Sequence, residues 1–233
     1  MTDPTPPPAP VRASALFLVG AIVCFVLPPL TLGLLVQGSP PPLALVAVAL
    51  VELASAGALV AWWLRRRSLS PADVGLTSRH WFRDALLGAA TVPPRLLIEF
   101  GVLIPMAGGA HNPEVQEVLT NASAGVAALA ATLVLGVVGG GLAEELYFRG
   151  FLMGALPKAF VHRRAALYGA AAVSVLLFAA LHLPTSAPDV AAIVLASLVY
   201  TALFLLTRRL TATVVAHSLW NATTLLTVVA VYG

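Results

Sequence analysis

The residues best suited to chemistry begin with a pair of carboxyl groups in an apolar stretch. Glu144 and Glu145 are adjacent, and Arg149 lies four residues after Glu145. Residues four apart share one face of a helix, so Glu145 and Arg149 can form an ion pair. Glu144 is left beside a second carboxylate, among apolar residues and without a local cation. An unpaired carboxyl group in that setting is a candidate general base.

Two histidines and an asparagine could complete such a site. His182 ends an apolar run four residues after Phe178, and His217 precedes Asn221 by four residues. His217 and Asn221 therefore share a helix face and can aim donors at one point, as stabilisation of an oxyanion requires. A single buried histidine is usually a packed core residue. Two of them, together with an unpaired glutamate and an asparagine, are harder to explain by packing alone and mark a candidate site.

The composition places these residues in a membrane. Of 233 residues, 59% are hydrophobic and 10% are charged, whereas soluble domains carry roughly 25% charged residues. The net charge of +3 does not indicate nucleic-acid binding, because the cations form short clusters between apolar runs and no stripe. The single cysteine, Cys24, excludes an internal disulfide and a cysteine-based metal site.

The apolar runs predict an all-α, polytopic bundle of about seven transmembrane helices, since each run approaches or exceeds the roughly 20 residues that cross a bilayer. We predict spans at Ser14–Val36, Leu43–Leu64, Ala85–Met106, Ala122–Leu156, Ala165–His182, Val190–Thr207 and Thr211–Val231. Residues 1–13 are rich in proline and are predicted to be a disordered cytoplasmic tail. Residues 14–110 then form an N-terminal group of spans, and residues 122–231 carry the motifs.

Charge placement predicts the orientation. Eleven of the thirteen Lys and Arg residues lie before the first span or in every second connection: Arg12, Arg65, Arg66, Arg67, Arg79, Arg83, Lys158, Arg163, Arg164, Arg208 and Arg209. The alternate connections hold none. By the positive-inside rule the N-terminus is cytoplasmic and the C-terminus lies outside, in the plasma membrane if the protein is bacterial.

The fourth run is too long for a simple span. Its 35 residues would make about 52 Å of α-helix, against a hydrocarbon core of about 30 Å. Gly139, Gly140 and Gly141 interrupt it and predict a break or sharp kink. A full reversal there would give eight spans.

Three more charged residues fall inside apolar runs, where each costs at least ~2.5 kcal/mol unless it is paired or hydrated. Arg95 and Glu99 are four apart and can pair. Glu52 has no local cation. We interpret it as a protonated or hydrogen-bonded residue between helices.

The three motifs together resemble a known family. Glu144 to Arg149 fits EExxxR, Phe178 to His182 fits FxxxH, and His217 to Asn221 fits HxxxN. In this order, on apolar helices, they resemble the CPBP family of intramembrane proteases, which includes type II CAAX prenyl endopeptidases and bacteriocin-processing enzymes. The resemblance covers roughly residues 125–231.

The resemblance implies roles for these residues. Glu144 would be the general base and His182 its partner on a bound water, His217 and Asn221 the oxyanion hole, and Glu145 with Arg149 a structural ion pair. The substrate would be a membrane-associated peptide or protein in the lipid bilayer. No cofactor is expected, although Glu144, His182 and His217 could ligate zinc in a metal-dependent version of the same protease.

Two other classes of function stay open from the sequence. A proton- or ion-coupled transporter would also place Glu52, Glu144, His182 and His217 inside a membrane. A non-catalytic membrane scaffold is the second, and it would not require a matched acid, base and amide.

Overall fold

The computed structural model describes residues 10–122 and 124–233, which hold helices and connections and no strand. Seven helices are long and apolar enough to cross a membrane, and we call them spans 1 to 7. They are Ala15–Leu35, Pro42–Arg66, Trp81–Met106, Val126–Ala159, Arg163–Leu181, Ala187–Thr207 and Leu210–Tyr232. The all-α bundle of seven spans is thus confirmed.

Helix boundaries differ from the prediction by a few residues. The first helix already begins at Pro10, inside the segment predicted as a tail, and residues 1–9 of that tail lie outside the described residues. Pro42 stands in the first turn of span 2, where its missing N–H costs nothing. Span 6 is capped by Ser186, whose hydroxyl accepts from the Asp189 amide. Helices suit lipid because they satisfy their backbone groups internally.

Span 4 is continuous, and the reversal that would have given eight spans is not found. Residues Leu135–Glu144 and Leu146–Ala155 are wound as π-helix, in which each hydrogen bond closes over five residues. A wider helix has more residues per turn and a smaller rise per residue, so a long apolar run makes a shorter helix and needs less membrane thickness. The three glycines lie inside this winding and continue it.

The connections alternate between the two ends of the bundle, as the charge pattern predicts. At one end Lys158 forms an ion pair with Asp73, and Arg209 pairs with Asp84. The Leu210 amide also donates to the Gly75 carbonyl at 3.0 Å. These bonds hold the second, fourth and sixth connections together at that end.

The opposite end has its own polar tie. Asn112 Nδ2 donates to Asp189 Oδ1 at 2.9 Å, and Asn112 Oδ1 accepts from the Glu114 amide at 2.7 Å. This second bond starts a short helix, Pro113–Ala122, where the sequence predicted only a connection. The third and fifth connections therefore meet at this end.

Span 4 lies at the centre of the bundle and contacts spans 1, 2, 5, 6 and 7. Its aromatic residues Tyr147, Phe148 and Phe151 are almost completely buried. The Tyr147 hydroxyl donates to the Phe17 carbonyl of span 1, and Phe148 packs edge-on to Phe178 of span 5 with ring centroids 5.7 Å apart. The motif-bearing helix is therefore held on several sides.

Candidate active site

The glycines of span 4 allow span 7 to come close. A Cβ atom built on Gly140 would lie 2.6 Å from Asn221 Nδ2 and 3.4 Å from His217 Nε2. A Cβ on Gly136 would lie 3.2 Å from Asn221 Cβ. The separations of 2.6 and 3.2 Å are shorter than ordinary van der Waals contact. The glycine run, predicted as a weak point, is instead the surface on which the third motif rests.

Glu144 and His182 line one small cavity of about 190 Å³. Its third polar residue is Glu52 of span 2, and its walls are Phe25, Phe148, Phe178 and Leu181. Glu144 Oε2 is buried and has no hydrogen-bond partner among the described residues. A buried, unsatisfied carboxyl oxygen calls for an occupant, and this cavity is polar and large enough for water.

His182 is held in one tautomer. Its Nδ1 lies 2.7 Å from the Phe178 carbonyl oxygen, and because a carbonyl can only accept, Nδ1 carries the proton. In the neutral ring Nε2 is then a free acceptor. The ring also stacks on Phe178, with centroids 4.4 Å apart. The FxxxH spacing therefore fixes both the position and the tautomer of His182.

His217 is held from two sides. Its Nδ1 lies 2.9 Å from Glu145 Oε1, the oxygen that also accepts from Arg149 Nη1 at 3.0 Å. Beside Arg149 the Glu145 group is a carboxylate, so Nδ1 donates and Nε2 lies on the Gly140 side. Tyr200 stacks on the imidazole with centroids 4.5 Å apart and planes 19° apart.

The predicted Glu145–Arg149 pair is present and is completely buried. Arg149 Nη2 also donates to Ser197 of span 6, to the carbonyl oxygen at 3.2 Å and to Oγ at 3.0 Å. Glu145 was predicted as a purely structural residue. Its bond to His217 gives it a second task, since it also orients a candidate oxyanion donor.

Asn221 is half-buried, and its Nδ2 donates to the Gly136 carbonyl at 2.8 Å. Asn221 and His217 both lie close to Gly140, whereas Glu144 and His182 both line the cavity. Gly140 and Glu144 are four residues apart on span 4, so the two halves of the predicted site are neighbours along one helix face.

Sequence reasoning left two polar features of this region unassigned. Glu52 lines the cavity, and its lack of a local cation was the available signal. Arg95 forms its predicted pair with Glu99, at 2.6 Å, but also donates to the Tyr200 hydroxyl at 2.6 Å. Its guanidinium lies 3.7 Å from the centre of the Trp220 ring. No sequence spacing predicts these last contacts, because Tyr200 lies 105 residues away.

Glu144, His182 and His217, the candidate zinc ligands, are not arranged around one point in the described structure. In the described ranges, no group of three His, Cys, Asp or Glu side chains is arranged to hold one metal ion. His217 directs Nδ1 to Glu145, and His182 directs Nδ1 to the Phe178 carbonyl. These side chains are arranged around hydrogen bonds.

Comparison with known proteins agrees with the three motifs. Residues 126–223 match the family model described as type II CAAX prenyl endopeptidase Rce1-like, and this segment contains every motif residue. No curated protein and no solved structure matches the chain. With its seven apolar spans, the chain is an integral membrane protein whose residues 126–223 are similar to the Rce1-like type II CAAX prenyl endopeptidase family.

Proposed function

We propose that this protein is an intramembrane endopeptidase that uses water activated by Glu144 and His182. The observation that carries the proposal is the cavity in which the unpartnered Glu144 Oε2 lies beside His182. A carboxylate that has no protein donor can accept a proton from a water held in the same cavity.

The reaction follows from these groups. The water oxygen attacks the peptide carbonyl carbon while Glu144 takes one of its protons, and His182 Nε2 accepts a hydrogen bond from the same water. The C–N bond of the tetrahedral intermediate then breaks, and the proton on Glu144 passes to the leaving nitrogen. One water is consumed, and Glu144 returns to its carboxylate form.

Stabilisation of the oxyanion is assigned to His217 and Asn221. With Nδ1 donating to Glu145, His217 can donate from Nε2 only as an imidazolium, and the Glu145 carboxylate is the partner that would stabilise that charge. Asn221 uses one amide N–H on Gly136 and keeps a second one. Each such donor contributes ~3–4 kcal/mol to transition-state stabilisation elsewhere.

The substrate class proposed is a CAAX-type protein that carries a prenyl chain on cysteine. An apolar groove of about 780 Å³ lies between span 1, the end of span 4 and span 5. Leu152 lines this groove and Phe148 lines the cavity, and they are one turn apart on span 4. A prenyl chain in the groove would thus hold the adjoining peptide near Glu144.

Cleavage of a defined peptide tests the proposal. Wild-type protein in lipid nanodiscs is expected to release the last three residues of a farnesylated CAAX peptide and to leave the unfarnesylated peptide largely intact. Glu144→Gln should abolish cleavage without loss of folded protein, because it keeps the shape and removes the base. Glu117→Gln, at an exposed carboxyl on the short helix Pro113–Ala122, is the matched control. An active Glu144→Gln variant would contradict the mechanism.

The oxyanion assignment and the metal question are tested with the same peptide. His217→Ala and Asn221→Ala should each lower kcat by roughly 10²–10³ with little change in KM. Neither change should alter metal content. Stoichiometric zinc that is lost and restored together with activity would support the zinc-dependent version instead. A transporter or a scaffold would show no cleavage at all.

A further inference from the structure

Glu52 carries a buried carboxyl group that the proposed reaction has not used. It lies on span 2, is 8% exposed, and lines the cavity with Glu144 and His182. Among the side chains that the structure describes, none forms a hydrogen bond with its carboxyl group; its backbone carbonyl accepts from Ser55 Oγ at 3.0 Å. An ionisable side chain at membrane depth costs at least ~2.5 kcal/mol, so packing alone does not account for a glutamate here.

The backbone of span 4 sets the position of this carboxyl group. A Cβ atom on Gly139 would collide with Glu52 Oε2. The absence of a side chain at Gly139 therefore lets Glu52 reach span 4 about one turn before Glu144. The glycine run accommodates Glu52 on one side and Asn221 on another.

The number of hydrogen bonds that a buried water forms suggests a role for Glu52. A buried water makes about three hydrogen bonds, with a range of two to four. Glu144 offers the unpartnered Oε2, and His182 offers Nε2, because its Nδ1 is bound to the Phe178 carbonyl. The remaining lining residues are aromatic or aliphatic. Glu144 Oε2 and His182 Nε2 both accept, so they use the two protons of the water, and a third bond must be donated to the water oxygen. Glu52, as a protonated carboxyl group, is the one further side chain lining the cavity that can donate it.

We propose that Glu52 is a water-binding residue of this site, which holds the nucleophilic water against Glu144 and His182. The inference rests on the proposed hydrolytic function and adds a residue from the N-terminal spans to it. Glu144 takes the proton, and Glu52 fixes the orientation of the water. The site is then assembled from span 2 as well as from the segment that matches the family model.

Substitutions at Glu52 and Glu144 distinguish binding of the water from transfer of its proton. Glutamine keeps a side-chain donor, its Nε2–H group, that can bind the water oxygen, whereas leucine has similar bulk and cannot. We expect Glu52→Gln to keep kcat within a few-fold of wild type, and Glu52→Leu to lower it by ~10- to 100-fold, the effect of leaving one buried hydrogen-bonding group unsatisfied. KM should change little, because the water and not the substrate loses its contact. Glu144→Gln should be inactive, because an amide cannot take the proton.

The assay uses the farnesylated CAAX peptide with each variant in nanodiscs, together with thermal unfolding to show that each variant is folded. Val51→Ala is the matched control, since Val51 is the preceding residue on span 2 and its side chain is 52% exposed; it should leave kcat unchanged. Equal activity of Glu52→Leu and Glu52→Gln, with Glu144→Gln inactive, would overturn the role of Glu52 and leave the proposed function standing. No cleavage by wild type, or cleavage by Glu144→Gln, would overturn both.

Discussion

Replacing Glu145 by glutamine tests the buried network behind the site. Glu145 Oε1 serves two donors, Arg149 Nη1 at 3.0 Å and His217 Nδ1 at 2.9 Å. Glu145 and Arg149 are completely buried. The substitution therefore leaves the Arg149 guanidinium without its counter-charge in a site that water does not reach.

The expected loss of stability follows from these contacts. Breaking a buried ion pair by removing one partner costs about 3–5 kcal/mol. Glutamine keeps one acceptor oxygen, and Arg149 keeps its two bonds to Ser197, so we expect the lower end, about 3 kcal/mol. At 2–4 °C per kcal/mol for a chain of this size, Tm should fall by about 6–12 °C. Glu144→Gln should shift Tm far less, because Glu144 Oε2 has no described partner to lose.

Thermal unfolding of purified protein in detergent measures the effect, with kcat on the farnesylated peptide measured beside it. Replacing both partners, in Glu145→Leu with Arg149→Met, should recover most of the stability, since a buried pair is often replaceable by apolar residues. It should not recover activity, because His217 Nδ1 still lacks an acceptor. A Glu145→Gln protein with wild-type Tm would refute the stability argument. An active double variant would refute the orienting role.

Three further predictions concern orientation, packing and pH. By the positive-inside rule, reporter fusions after Arg67, Lys158 and Arg209 should report a cytoplasmic location, and fusions at Pro41, Asn112 and Ser186 the opposite side. A cytoplasmic signal at Ser186 would contradict the orientation. Gly140→Ala should lower kcat by at least tenfold, because its Cβ would lie 2.6 Å from Asn221 Nδ2 and displace that amide. Gly101 has open space around it, so Gly101→Ala should leave kcat unchanged. Equal activity of the two variants would contradict the packing argument. The hydrogen bond from Lys158, followed by that from the Ser70 amide, lowers the pKa of Asp73 from 3.8 to about 2. The stability that Asp73 contributes is therefore full above about pH 4 and is lost as the pH falls through about 2. Asp73→Asn should lower Tm at neutral pH and flatten the acid side of a Tm-against-pH curve, and an unchanged acid side would contradict this.

The sequence by itself determined the features that depend on composition and on helical geometry. A chain with few charges and long apolar runs folds as membrane-spanning helices, which satisfy their backbone polar groups internally. The fold class, the positions of the spans and the alternation of basic connections could therefore be predicted. The Glu145–Arg149 and Arg95–Glu99 pairs could also be predicted, because four residues along a helix always bring side chains to one face. The same rule placed Phe178 against His182.

Only the tertiary structure decided which helix faces meet. Glu145 binds His217 from 72 residues away, and Glu52 reaches the cavity from a different span. No local spacing encodes either contact. The glycine run illustrates the reason: glycine permits a bend as well as a close approach, and the sequence does not say which is used. Here spans 2 and 7 pack against these glycines, so the run that could have broken the helix is where Glu52, His217 and Asn221 come close to span 4.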